Sequence, residues 1–441
     1  MNAMSRRDNF ITKCDQLMVF SFYVLICFLP VSIALSESFT GLAFFAYLLK
    51  RGAVFIGFLK NEGIAEDKKH VSVFHKFCIA YKPIPNILNV PILILLSVSL
   101  ISVIQSQFLL LSIEGYVGKL LQSAFLYFNF VECMRTRKRI NMFVGTLLVS
   151  CAMVLMNGVY QINVGKEVFF GHLFNGRVSS SFRHANDFGA YLVMIIPILF
   201  CLAFPDRPNK GAETNNDTEY FSTKTMKILW RILFLISLMC LGITFSRGAW
   251  VGLILGALLF GLTNRKALLL YGVVLIVFVS FFYPKLTENR NRVSIYSKKS
   301  FFERNNRLSY WVRATDIIKD YPYFGSGVNT YALVEGRYSD GWGGYPHNSF
   351  LQMAAETGLI GISAFLFMIA ALFWDSLRAL KRITARTYKS LLTGILTGLS
   401  GFLFHSFFDT NLYSVQLGSF FWVMMGFIAA VARLPDAPKT D

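Results

Sequence analysis

The stretch GYPHNSFLQMAAETGLIGISAFLFMIAALFW, residues 344–374, decides the fold. It opens on a Gly/Pro turn that carries His347 and Asn348 side by side, and about twenty-five mostly apolar residues follow. At 1.5 Å per residue such a run is long enough to cross a hydrocarbon core roughly 30 Å thick. The segment therefore reads as a membrane span, and the histidine and the amide sit where that span meets water.

The rest of the chain agrees. Of its 441 residues 54% are hydrophobic and only 15% charged. Apolar runs recur near 17–35, 39–59, 87–105, 113–131, 140–160, 188–204, 228–245, 248–262, 267–283, 350–374, 388–408 and 413–432. They predict an all-α polytopic membrane protein of about twelve transmembrane helices, a single integral-membrane domain over 1–441. No charged–apolar–small pattern ends in a cleavage site, so the first run is expected to stay as an anchor. The net charge of +18 does not point to nucleic acid. Most of it lies in short loops, where Lys and Arg set orientation.

Twelve spans put both termini on one side. That side collects Arg6, Arg7 and Lys13, the basic loop 50–86, the cluster Arg135, Arg137, Lys138 and Arg139, and Arg378, Lys381, Arg382 and Arg386. It is expected to be cytoplasmic. The polar, turn-rich stretch PDRPNKGAETNNDTEYFSTKTMK, 205–227, reads as a cytoplasmic linker. The opposite face has turns 36–38 and 106–112 without Lys or Arg, and two substantial loops, 161–187 and 284–349. None of the seven cysteines falls in an outer loop, so no disulfide framework is expected there, and no paired spacing suggests zinc.

Four stretches bring polar groups to that outer boundary. NGRVSSSFRHANDFGAYL (175–192) contributes Arg177, Arg183, His184 and Asn186, and TFSRGAW (244–250) contributes Arg247. YPHNSF (345–350) supplies His347 and Asn348, and FHSFFDTN (404–411) supplies His405 and Asp409. Singly, each has an ordinary explanation: arginines at helix ends snorkel to headgroups, and a lone interfacial histidine holds structure by a hydrogen bond. Arg247 resists it, because short outer turns are otherwise nearly free of Lys and Arg. Only His405 and Asp409 are spaced to share one helix face, so no metal site is expected. Within the large loop, RNNRLSYWVRATDIIKD (304–320) places Leu308, Trp311, Val312, Thr315 and Ile318 on one face of a helix, with Arg304, Arg307, Arg313 and Lys319 largely elsewhere. Pro322 ends it, and YFGSGVNTY follows as a Gly-bent turn. An amphipathic helix of this kind lies at a membrane surface and walls a cavity.

The stretches SRGAWVGLILG, HNSFLQMAAETGLIGISAFLF and GRVSSSFRHANDFGAYL resemble the signatures of the O-antigen ligase/polymerase superfamily, nearest to the ligase branch. DYPYFGSGVNTY and FHSFFDTNLYSVQLGSFFWVMMG fit the same pattern, so the resemblance covers roughly residues 170–430. It implies a GT-C-like inner-membrane glycosyltransferase with its active site open to the periplasm, both termini cytoplasmic, no cofactor and no metal. The donor would be an undecaprenyl-diphosphate-linked glycan, the acceptor lipid A–core oligosaccharide, the surroundings membrane lipids, and the unit a monomer. Sister branches, an O-antigen polymerase or a protein O-oligosaccharyltransferase, use other acceptors. A transporter or flippase would need polar groups through the bilayer centre, where Lys119 is the one clear basic exception.

A sugar on a diphosphate is already activated. The enzyme must neutralise the leaving diphosphate, and arginine's planar fork suits that; it must also deprotonate the acceptor hydroxyl, which suits histidine. The resemblance thus implies Arg177 and Arg247 on the diphosphate, with Arg183 as the substitute for Arg177. His347 would be the general base with inversion at the anomeric carbon, Asn348 would orient it, and Asp409 would hold His347 or an arginine in place.

Overall fold

The computed structural model describes residues 6–60, 72–204, 223–261, 269–270, 272–277, 280, 307–339 and 344–434. Among them the chain is all-α: no strand forms beyond an isolated bridge between Lys166 and Leu173. In chain order the helices are α1 (Arg6–Phe28), α2 (Ile33–Leu59), α3 (Val73–Tyr81), α4 (Asn89–Gln105) and α5 (Leu109–Gly115). A π-helical turn (Tyr116–Leu121) leads into α6 (Gln122–Cys133), then α7 (Arg137–Val164), α8 (Ala185–Ala203), α9 (Lys224–Thr244) and α10 (Arg247–Gly261). After residues outside the described set come α11 (Arg307–Asp320), α12 (Tyr331–Glu335), α13 (Ser349–Arg382), α14 (Arg386–His405) and α15 (Val415–Val431). Among the described residues six helices are long and apolar enough to cross a membrane, α1, α2, α7, α8, α9 and α13; α4, α10 and α15 are shorter apolar helices. All nine overlap expected spans. The span expected at 267–283 lies partly outside the described residues, as does most of the linker 205–227, and loop residues 284–306 and 340–343 lie wholly outside them.

Two boundaries differ from expectation. The first outer turn falls at 29–32 rather than 36–38, because Pro30 cannot continue a helix and Ser32 caps α2 by accepting from Leu35 N. The run from 349 to 382 is not one smooth helix either. Gly358 sits at φ 72°, and a Cβ there would meet Tyr323 O at 2.1 Å. The 322–327 turn docks at this break: Ser326 N donates to Ala355 O, Gly327 N to Glu356 O and Leu359 N to Pro322 O. The loop thereby takes the backbone groups that the broken helix leaves unpaired. Beneath it the buried Glu356 accepts from Asn329 N, Tyr331 N and Gln352 Nε2.

The centre of the bundle is α8, buried along nearly its whole length. In a bilayer the hydrophobic effect does not drive helices together, so close packing must do so. Glycines supply it. A Cβ on Gly398 of α14 would come within 2.3 Å of Met194 O in α8, and one on Gly252 of α10 within 2.4 Å of Gly401 O in α14. Gly252→Leu is expected to push α10 off α14 and to cost about 1–3 kcal/mol. A thermal-unfolding midpoint equal to wild type in detergent would contradict that close approach. This packing brings three helix ends together: the starts of α8 and α10 and the end of α14.

Candidate active site

His347 precedes α13 in a backbone that is tied on both sides. Gly344 N donates to Glu335 Oε2 at 2.7 Å, Trp311 Nε1 donates to Pro346 O at 2.9 Å, and Asn348 Oδ1 caps α13 by accepting from Phe350 N and Leu351 N. These ties hold His347 at φ 46°, a left-handed conformation that few non-glycine residues adopt. Its imidazole is half exposed, with the Tyr310 ring edge-on at 6.1 Å. Glu335 also pairs with Arg313, whose guanidinium lies 4.6 Å from the Tyr310 ring centre.

From His347 a hydrogen-bonded chain runs inward. His347 Nδ1 meets Asp409 Oδ1 at 3.2 Å, Asn186 Nδ2 donates to Asp409 Oδ2 at 2.9 Å, and Arg177 Nη2 donates to Asn186 Oδ1 at 2.6 Å. Arg177 Nε donates to Thr244 O at 2.7 Å, which ties the chain to the Arg247 turn. Burial opposes ionisation of Asp409, but hydrogen bonds from His347 and Asn186, with the Thr410 N–H, hold its carboxyl down at about 2. An ionised carboxylate only accepts, so the proton of the pair lies on Nδ1, and in the neutral imidazole the lone pair is on Nε2. The stability this carboxylate contributes is complete above the ordinary carboxylate value and fades as pH falls toward 2.

Beside this chain lies a cavity of about 540 Å³ whose wall includes Arg177, Asn186, Arg247, Gly248, Arg307 and His405. Arg247 is the first residue of α10, so the cavity also faces the amide-rich start of a helix. His405 is fully buried and packs on Gly248, where a Cβ would lie 2.8 Å from its ring. Of the site residues anticipated above, Arg177, His347 and Asp409 share one hydrogen-bonded chain, and Arg247 lines the cavity with Arg177. Arg183 is exposed and is not among the residues lining it. Asn348, expected to orient the imidazole, instead gives its carboxamide oxygen to the helix cap and so shapes the turn that carries His347.

Arg307 was not anticipated as part of the site. The face of α11 that packs inward is Ala314 and Ile317, with Tyr310 and Arg313 partly buried; Leu308 and Val312 are exposed. The helix is thus turned relative to the apolar stripe. Replacing Asp409 with Asn would put a donor or an acceptor opposite Nδ1 and loosen the choice of tautomer. Loss of that tautomer control is expected to lower turnover in Asp409→Asn, by no more than the roughly 10²–10⁴-fold that the general base itself contributes. The acid stability step of the folded protein should shrink with it. Wild-type turnover in this variant would remove the pair from the mechanism.

Residues 232–366 match the family model described as O-Antigen ligase. The match runs from α9 through the Arg247 turn, α11 and the His347 turn into α13, past the Gly358 break. It supports the superfamily resemblance read from the sequence, and it ends before Asp409. No curated protein matches the chain.

Proposed function

We propose that this chain belongs to the O-antigen ligase superfamily, as the match over 232–366 supports, and transfers a glycan en bloc from undecaprenyl diphosphate to lipid A–core oligosaccharide. Membership implies a glycosyltransferase-like membrane enzyme acting on lipid-linked glycans. The observation that supports the finer reading is an arginine-walled cavity joined through Asn186 and Asp409 to the His347 imidazole, which does not itself line it.

In this reading Arg177, Arg247 and Arg307 take the diphosphate. Three guanidiniums can grip several phosphate oxygens and stabilise the charge that develops as the leaving group departs. The acceptor hydroxyl oxygen attacks the anomeric carbon as the bond to the diphosphate oxygen breaks. The diphosphate leaves with the bonding pair, and the hydroxyl proton passes to His347 Nε2. One displacement inverts the anomeric carbon. Asp409 stabilises the imidazolium that forms, and the arginines supply the positive charge that a metal would otherwise bring. The site would face the periplasm of the inner membrane, with both termini cytoplasmic.

Deletion of the gene, followed by separate analysis of surface lipopolysaccharide, carrier-linked glycan and glycoproteins, tests the acceptor. Long glycan missing from lipopolysaccharide while carrier-linked polymer accumulates is the expected result. Loss of polymer on the carrier, or of glycan on protein, would reassign the chain to a sister branch. Cysteine labelling of single-cysteine variants expressed in the deletion strain should find residues 205–227 inside and 161–187 outside; labelling of both from one side would overturn the orientation.

A further inference from the structure

We propose that a groove between α7 and α9, at the end of the bundle remote from His347, is a binding site for one anionic phospholipid. The separation follows from α14. Tyr388, near its start, donates to Asn141 Oδ1 at the groove, while His405, at its end, lines the arginine cavity. At 1.5 Å per residue the two ends stand about 25 Å apart. The groove is therefore independent of the site described above and of the reaction proposed for it.

The groove encloses about 1150 Å³ and has two different ends. Arg137, Lys138 and Asn141 form the polar one, at the start of α7. The guanidinium of Arg137 lies over the Tyr388 ring at 5.7 Å, and the helix start adds its own positive potential. Below them the wall is apolar except for Thr146, with Gly145 and Val149 on α7 facing Leu229 on α9. Counting down α7 from Met142 to Ala152, the apolar stretch is about 15 Å long. That is about half of a hydrocarbon core roughly 30 Å thick, the depth that one leaflet's acyl chain occupies.

Two cations above an apolar trough of one leaflet's depth match the chemistry of a lipid with a negative headgroup. Cations at a helix end alone would not distinguish this from ordinary snorkelling. The trough does, because it offers the chain a place between helices. The trough is open at Gly145, where a Cβ would meet nothing within 4 Å.

The test uses the full-length protein, delipidated in detergent and titrated with dioleoyl phosphatidylglycerol or dioleoyl phosphatidylcholine, with bound lipid counted by native mass spectrometry. Wild type should take up one phosphatidylglycerol in clear preference to phosphatidylcholine. Lys138→Gln should weaken phosphatidylglycerol roughly fivefold, the effect of one surface cation, and leave phosphatidylcholine unchanged. Gly145→Leu keeps both cations but narrows the trough, so both lipids should bind more weakly. Excess inorganic phosphate should not displace the lipid. Equal binding of the two lipids by wild type would overturn the proposal. Undiminished binding by Gly145→Leu, or displacement by free phosphate, would show that the cations act without the trough and would overturn it as well.

Discussion

His347→Ala is expected to slow glycan transfer by about 10²–10⁴-fold, the usual worth of a positioned general base. Binding of the carrier-linked donor should survive, because the three arginines lie on other elements and the Asp409–Asn186–Arg177 chain keeps its inner bonds. The variant should also fold. The imidazole is half exposed, and its removal leaves Asp409 with Asn186 and the Thr410 N–H as partners. Transfer from purified donor, measured beside donor binding, separates the two effects. Near-normal transfer would end the assignment of His347 as base.

Arg247→Ala is expected to lower turnover by about 10²–10³-fold, the loss typical when one donor aimed at developing charge is removed. Arg247→Lys should recover only part of it, since a lysine restores the charge but not the planar fork that holds two oxygens at once. Unlike His347→Ala, both changes should weaken donor binding too. Arg183→Ala serves as the contrast: that side chain is exposed and does not line the cavity, so its loss should be near neutral. Equal losses at Arg183 and Arg247 would mean that general surface charge, rather than a cavity, holds the donor.

Much of this arrangement was legible in the chain itself, and the physical reason is solvent. Spans announce themselves because a bilayer demands long apolar runs. Polar residues at their ends stand out for the same reason, and so His347, Arg177, Arg247 and Asp409 were found. What stayed hidden depends on rotation and pairing rather than on composition. Arg307 does not stand out in the sequence, because the apolar stripe of 304–320 points to Leu308 and Val312, which are exposed, while Ala314 and Ile317 pack inward. Asn186 is one polar residue among several in its stretch; that it bridges Asp409 and Arg177 depends on where α8 meets α14. Asn348 stands beside His347, yet an Asn two residues before a helical Phe is also a capping signal, and its carboxamide oxygen makes that cap. The break at Gly358 was likewise invisible to hydropathy, because the apolar run continues through it. It becomes intelligible only with the 322–327 turn seated on it.

If the chain displaces a glycan from a lipid diphosphate with arginines and a histidine as its working groups, the products report it: purified protein is given purified undecaprenyl-diphosphate glycan and lipid A–core acceptor in excess EDTA. One undecaprenyl diphosphate released for each glycan transferred, with the new linkage inverted and the rate unaffected by the chelator, is the predicted result. Retention of anomeric configuration, or activity lost to EDTA and restored by Mg²⁺ or Mn²⁺, would contradict it.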